Sequence, residues 1–186
     1  MHTPTLEQAR ELLYEHNKED FHRQHGEVVS GVLAWFAKKY DPENVEFWAA
    51  VGMLHDLDFE KYPEEHCVRA KNMMEELDIN PDMIRACCSH GWGETGAEFK
   101  PESTMEKILF AVDELSGLIG AAALVRPSKA TADMNLKSVK KKFKDKAFAA
   151  GCSREVIQKG AEELGWELDD LLAQTLEAMQ SLESGE

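Results

Sequence analysis

Two ionisable residues, His55 and Asp56, directly follow an apolar run at residues 47–54. A helix that is apolar nearly all round packs in a protein core. Ionisable groups are costly in a core unless they are paired or bind a metal ion. Imidazole nitrogen and carboxylate oxygen suit zinc, iron, manganese, nickel or cobalt rather than calcium. The pair therefore indicates a transition-metal site inside the fold.

Further ligands are predicted at another histidine and at an acidic residue within an apolar segment. His25 lies on or beside the apolar stripe of a predicted helix, and Asp113 interrupts the apolar residues 108–125. Adjacent helical residues point about 100° apart, so His55 and Asp56 can both reach one ion near the helix end. His25 and Asp113 would complete that site.

A second ion is predicted beside Asp56, because a carboxylate has two oxygen atoms and can bridge two metals. His66 and His90 are the candidate ligands for this second ion. We therefore expect one or two divalent transition-metal ions (Fe, Mn, Zn, Ni or Co), with Asp56 as the catalytic bridge between them.

The spacing of apolar residues predicts an all-α fold. Apolar residues recur at helical intervals, whereas runs of alternating polar and β-branched residues are missing. Predicted helices begin at Thr5, run from Asp20 to about Tyr40 and from Pro42 to Asp56, and then cover residues 64–77, 82–90, 103–125, 138–148, 153–164 and 168–182. We expect one domain over residues 1–186, with a metal-binding core at about 20–126 and C-terminal helices at about 138–182 packing on it.

Composition limits the possible partners. The chain has 186 residues and a net charge of −14, which disfavours general nucleic-acid binding. No segment resembles a signal peptide or a membrane span, so we expect a cytoplasmic protein that does not bind membranes. The four cysteines have no CxxC spacing and are expected to be reduced thiols.

The ordered set His25, His55-Asp56 and Asp113 resembles the H…HD…D pattern of the HD-domain superfamily of metal-dependent phosphohydrolases. Residues 54–58, followed by Pro63-Glu64-Glu65-His66 and Ser89-His90-Gly91, resemble members with two extra histidines. Residues 113–119 and 125–129 resemble a subgroup of small, stand-alone bacterial HD hydrolases. The resemblance covers about residues 20–180.

This resemblance implies a multi-helix HD-domain bundle with a dinuclear metal site in its helical core. It implies a hydrolase that uses metal-activated water to cleave a small phosphate ester or nucleotide. Members that cleave cyclic dinucleotides have Ile-Gly-Lys after the His-Asp pair, whereas this chain has Leu57-Asp58-Phe59. Cleavage of cyclic dinucleotides is therefore not expected.

Two alternative functions share the same six predicted ligands. Some HD-fold proteins that have the two extra histidines resemble di-iron oxygenases, which use oxygen to cleave carbon–carbon or carbon–phosphorus bonds. A metal-stabilised binding module without turnover is the other alternative. Bound iron with oxygen uptake, or stabilisation by metal without hydrolysis, would distinguish them.

Positive residues in the C-terminal third are candidates for binding a phosphorylated substrate. The candidates are Arg126, Lys129, Lys140 and Lys144. A concentrated positive patch in so acidic a protein can attract an anion, although a lysine run is usually a solvated helix face. The general acid is not assigned, and Asp58 is the one candidate.

Overall fold

The chain is all α-helical, as the apolar spacing predicts. The structure, a computed structural model, describes residues 1–94 and 96–185. Within those ranges no β-strand forms, although His2 and Ile79 make an isolated bridge. The α-helices are α1 (Leu6–His16), α2 (Asp20–Tyr40), α3 (Val45–Leu54), α4 (Val68–Glu76), α5 (Pro81–Cys88), α6 (Thr104–Leu124), α7 (Leu136–Lys144), α8 (Arg154–Leu164) and α9 (Leu168–Ser184).

Two compact units divide the chain, and the boundary falls within α6. The first unit is Met1–Leu109, and the second begins at Phe110. The expected single domain, with its metal-binding core at about residues 20–126, stays a prediction. None of the described helices combines the length and apolarity that a membrane-spanning helix needs.

Helix α3 is the centre of the first unit. Residues 48–54 are all buried, as expected for a helix that is apolar nearly all round. It packs against α2 and α1. A Cβ atom added at Gly52 would lie 2.8 Å from Cα of Ser30 and 2.9 Å from its nitrogen, so glycine permits the close approach of α3 to α2.

Polar contacts fix the segment that follows α3. The buried Asn17 side chain donates hydrogen bonds to the carbonyls of Leu13 and Leu57. The Glu60 carboxylate accepts hydrogen bonds from the backbone N–H groups of Lys18 and Glu19. The link between α1 and α2 therefore holds the turn that begins at His55.

The predicted helix at residues 64–77 is wrong over its first turn. Residues Pro63–Glu65 form a short 3-10 turn, and α4 begins only at Val68. Cys67 interrupts the helix because its backbone is left-handed, at φ 66° and ψ −36°. The predicted helix to His90 likewise ends at Cys88, and Ser89–Gly91 forms a second 3-10 turn.

Other helix ends differ from prediction by a few residues. Helix α3 begins at Val45 rather than at Pro42, after a turn in which Asn44 donates its N–H to the Asp41 carbonyl. Asp20 is the first residue of α2 rather than its cap. Helix α7 begins two residues early because of a capping box between Asn135 and Ser138, and it ends at Lys144.

Candidate metal centre

The carboxylate of Asp56 lies between two pairs of histidine rings. Its Oδ2 atom is 3.5 Å from Nε2 of His25 and 3.4 Å from Nε2 of His55. Its Oδ1 atom is 3.2 Å from Nε2 of His66 and 3.4 Å from Nε2 of His90. Each carboxylate oxygen therefore faces its own histidine pair, as a bridging carboxylate would.

The first histidine pair and Asp56 form a nearly equilateral triangle of donor atoms. Nε2 of His25 and Nε2 of His55 are 3.3 Å apart, and each is 3.4–3.5 Å from Oδ2 of Asp56. Ligand atoms at about 2.0–2.1 Å from a tetrahedral ion are separated by about 3.4 Å. The three donors thus have the spacing of one face of a tetrahedral transition-metal site.

The second histidine pair has the same arrangement with shorter spacing. Nε2 of His66 and Nε2 of His90 are 2.8 Å apart, and both face Oδ1 of Asp56. Two ring nitrogens at this distance repel each other if both carry lone pairs. A proton or a cation between them removes that repulsion.

Backbone carbonyls set the orientation of two of these rings. Nδ1 of His55 donates to the carbonyl of Gly52 at 2.6 Å, and Nδ1 of His90 donates to the carbonyl of Cys87 at 2.6 Å. A carbonyl can only accept, so the Nδ1 atom carries the proton and Nε2 of the neutral ring has its lone pair directed at Asp56. This is the tautomer that binds a metal through Nε2.

Asp58 orients the third ring. Its Oδ1 atom accepts a hydrogen bond from Nδ1 of His66 at 2.7 Å, and its Oδ2 atom accepts one from the N–H of Ala70 at 2.8 Å. The residue is 1% exposed. Since both oxygens are engaged inside the protein, Asp58 is a positioning residue for His66 and a poor general acid.

The ionisation of the cluster follows from its burial and its charges. Burial alone would raise the pKa of Asp56, but the charge and hydrogen bonds of its histidine neighbours, His55 first, hold that pKa well below its usual range. Burial lowers the pKa of His66, but hydrogen bonds to Asp56 and Asp58 outweigh burial and raise it well above its usual value. Protons on the histidines thus balance the negative charge of the carboxylates. A divalent cation can replace those protons.

Cys67 is a member of the cluster that the sequence did not reveal. Its Sγ atom lies 3.7 Å from Nε2 of His90, and the residue is 1% exposed. Burial raises the pKa of the thiol, but the charge of His90 and hydrogen bonds from both neighbouring histidines outweigh burial and lower it to about 6. Its one sequence signal is adjacency to His66, because it belongs to no CxxC spacing.

Solvent reaches the centre on the side of the first histidine pair. The side chains of His25 and Asp56 are 18% and 12% exposed, whereas the His55 side chain is fully buried. The ring of Phe59 packs edge-on against His66 at 5.0 Å between centroids, and His22 lies beside Phe59 at 5.8 Å. An aromatic cluster therefore adjoins the His66 side.

Asp113, the sixth predicted ligand, lies on α6 in the second unit. Its assignment as a ligand stays a prediction. On the same helix, no described atom lies within 4 Å of a Cβ built at Gly120. The neighbouring Glu114 carboxylate accepts a hydrogen bond from the N–H of Ser153, just before α8.

The predicted substrate-binding residues also lie in the second unit. Arg126 pairs with Asp133 at 2.9 Å, and Lys140 pairs with Asp169 at 2.6 Å. These ion pairs offset part of the positive charge that was expected to attract a phosphate. Lys129 and Lys144 make no ion pair within the described residues, and the role of all four residues stays a prediction.

Clustered side chains can hold a metal ion in two places within the first unit. One group contains His25, His55 and Asp56, and the other contains His66, Cys67 and His90. In each group the ligand atoms lie within 4.8 Å of one another. The donor types fit a divalent transition metal.

Comparison with known proteins gives no family model, no curated protein and no solved structure that matches the chain.

Proposed function

We propose that the protein is a metal-dependent phosphohydrolase that acts on a small phosphate ester or nucleotide. The observation that supports this proposal is the position of Asp56, whose two oxygens each face one pair of histidine Nε2 atoms. Such a carboxylate can hold two cations next to each other. Pairs of divalent cations are typical of enzymes that displace groups at phosphorus.

The cations would lower the pKa of a bound water and polarise the phosphoryl oxygen. The protein supplies the rest of the chemistry. The Gly52 and Cys87 carbonyls keep the His55 and His90 rings in the tautomer whose Nε2 atom faces Asp56. Burial of the ligands keeps bulk water from screening their charges, which strengthens every electrostatic interaction at the site.

The resemblance to the HD-domain superfamily supports the same proposal. The resemblance implies that Asp113 is the sixth ligand. Lys129 and Lys144 would attract the phosphate group, since neither is paired with a carboxylate among the described residues. Asp58 orients His66, so it is not the group that we expect to protonate the leaving oxygen.

The test is phosphate release by the full chain, purified without chelator and loaded with the metal that elemental analysis identifies. We expect hydrolysis of one or more members of a panel of phosphate monoesters and nucleotides under anaerobic conditions. His55→Ala should lose this activity, whereas the control His16→Ala, on α1 and outside the cluster, should keep it. Equal activity in both variants would overturn the proposal.

Two other outcomes would assign a different function to the same ligands. Bound iron together with substrate-dependent oxygen uptake, and no phosphate release without oxygen, would identify an oxygenase. No turnover across the panel, together with strong stabilisation by the metal, would identify a binding module. Each outcome contradicts the phosphohydrolase proposal.

A further inference from the structure

The thiol of Cys67 lies beside the second histidine pair. Its Sγ atom lies 3.7 Å from Nε2 of His90, within the same buried group as His66. Nε2 of His90 is also 3.4 Å from Oδ1 of Asp56. Ligand atoms of His66, Cys67 and His90 therefore lie within 4.8 Å of one another, and Oδ1 of Asp56 faces both histidines.

The backbone is bent at Cys67 in a way that brings two consecutive side chains together. Neighbouring residues of a regular helix point about 100° apart and diverge. Here His66 is extended, at φ −51° and ψ 142°, and Cys67 is left-handed, at φ 66°. Residues with a β-carbon rarely adopt this conformation, and such strain is concentrated at functional sites.

Some of the distances are those of a tetrahedral ion, whereas the Nε2 atoms of His66 and His90, 2.8 Å apart, must separate when an ion binds. With bonds of about 2.3 Å to sulfur and about 2.1 Å to nitrogen, the sulfur and nitrogen ligands of a tetrahedral zinc ion are separated by about 3.6 Å. Sγ of Cys67 is 3.7 Å from Nε2 of His90 and 3.9 Å from Nδ1 of the same ring, so the Cys67 side chain must turn toward Nε2 for both to bind one ion. Nitrogen and oxygen ligands are separated by about 3.4 Å, as Nε2 of His90 and Oδ1 of Asp56 are, at 3.4 Å.

We infer that Cys67 is a direct thiolate ligand of the second metal ion, together with His66, His90 and Asp56. When the ion binds, the S–H proton passes to bulk water and a metal–sulfur bond forms. The two positions then differ in chemistry, because sulfur is a soft donor and the first position has only nitrogen and oxygen. The second position should prefer Zn²⁺, Co²⁺ or Fe²⁺ to Mn²⁺ or Mg²⁺.

The inference rests on the metal site of the proposed function, and its test uses Co²⁺ as the probe. Co²⁺ bound by a thiolate has a sulfur-to-metal charge-transfer band in the near ultraviolet, which nitrogen and oxygen ligands do not give. The full chain should show this band on titration with Co²⁺ alone. The control Cys152→Ser, whose thiol lies in the second unit, should show it unchanged.

Two variants of Cys67 distinguish the loss of the thiol ligand from a change in backbone strain. Cys67→Gly removes the thiol and relieves the left-handed strain, so it should fold at least as well as the parent. Cys67→Ala removes the thiol and keeps the strain. Both should lose the band. Partners that only orient a ligand change metal affinity roughly 10- to 100-fold, so we expect the second Co²⁺ to bind about 100-fold more weakly or worse in both variants.

A charge-transfer band that persists in Cys67→Gly would assign another thiol and overturn the inference. Absence of the band in the parent chain, with two Co²⁺ ions bound, would overturn it as well. Neither result depends on phosphate release. A chain with the band and without hydrolysis would contradict the proposed function alone, and an active chain without the band would contradict the thiolate ligand alone.

Discussion

Nδ1 of His66 donates a hydrogen bond to Oδ1 of Asp58 at 2.7 Å, and this bond decides where the opposite ring nitrogen points. Nε2 of His66 then faces Oδ1 of Asp56 at 3.2 Å. A short stretch of sequence therefore provides both the carboxylate between the histidine pairs and the carboxylate that orients one of the rings. The second metal position depends on both.

Replacing Asp58 should weaken the second metal position without removing a proposed ligand. In Asp58→Asn a single oxygen must serve both the His66 ring and the Ala70 N–H. We expect the affinity for the second ion to fall roughly 10- to 100-fold, measured by calorimetric titration with Zn²⁺. The exposed Asp82→Asn is the control, and an unchanged second affinity in Asp58→Asn would show that the hydrogen bond does not orient the ligand.

A β-carbon at Gly52 should destabilise the first unit. It would lie within 3 Å of Ser30 backbone atoms, which cannot move as a flexible side chain can. We expect Gly52→Ala to lower the free energy of unfolding by about 1–3 kcal/mol and to weaken metal binding, because the Gly52 carbonyl holds His55.

Gly120 on α6 provides the matched control for that substitution. No described atom lies within 4 Å of a Cβ built there. Gly120→Ala should therefore stabilise the chain by about 0.5–1 kcal/mol, the usual helical preference for alanine. Denaturant unfolding measures the change in the free energy of unfolding, which should fall in Gly52→Ala and rise in Gly120→Ala. A rise in Gly52→Ala would show that α2 and α3 do not approach as closely as described.

Removing the metal should lower the melting temperature. A ligand bound only to the folded chain at about 100 times its Kd contributes about 2.7 kcal/mol, which for a chain of this size corresponds to about 5–11 °C. Thermal melts with and without a chelator measure this difference. In Asp56→Ala the chelator should have no effect, and a shift as large as that of the parent would place the stabilising ion elsewhere.

The Glu60 carboxylate should stabilise the chain only above the pH at which it is protonated. Backbone hydrogen bonds from Glu19 and Lys18 lower its pKa in the folded state. Its contribution is therefore fully present above the ordinary carboxyl pKa of about 4.3, and it is lost as the pH falls through the folded pKa.

This pH dependence predicts how the stability of Glu60→Gln should differ from that of the parent. The variant should melt below the parent at neutral pH, and the gap should close as the pH is lowered through the folded pKa. The exposed Glu64→Gln should match the parent throughout. A gap that widens in acid would mean that the protonated form of Glu60 is the one that the fold prefers.

Helix positions were predictable from sequence because apolar spacing and caps are local signals. The capped start of α8 at Ser153 and its end at Gly165 agree with prediction, and Gly165 is left-handed as such ends require. The break before α4 was not predictable, since its residues have ordinary helical preferences. It depends on the left-handed conformation of Cys67.

The histidines and Asp56 of the candidate centre were found from their residue types and their order along the chain. The roles of Asp58 and Cys67 were not found. The sequence offers Asp58 only as a candidate general acid and Cys67 only as one of four reduced thiols. Both roles come from side-chain directions at the turn between α3 and α4, which no periodicity in the sequence encodes.

The bridging position of Asp56 is the central claim, and metal stoichiometry tests it most directly. Elemental analysis should find two divalent ions per parent chain, close to one in His66→Ala or His90→Ala, and almost none in Asp56→Ala. The folded state of each variant is checked by circular dichroism. Near-normal metal content in folded Asp56→Ala would contradict the bridge between the two histidine pairs.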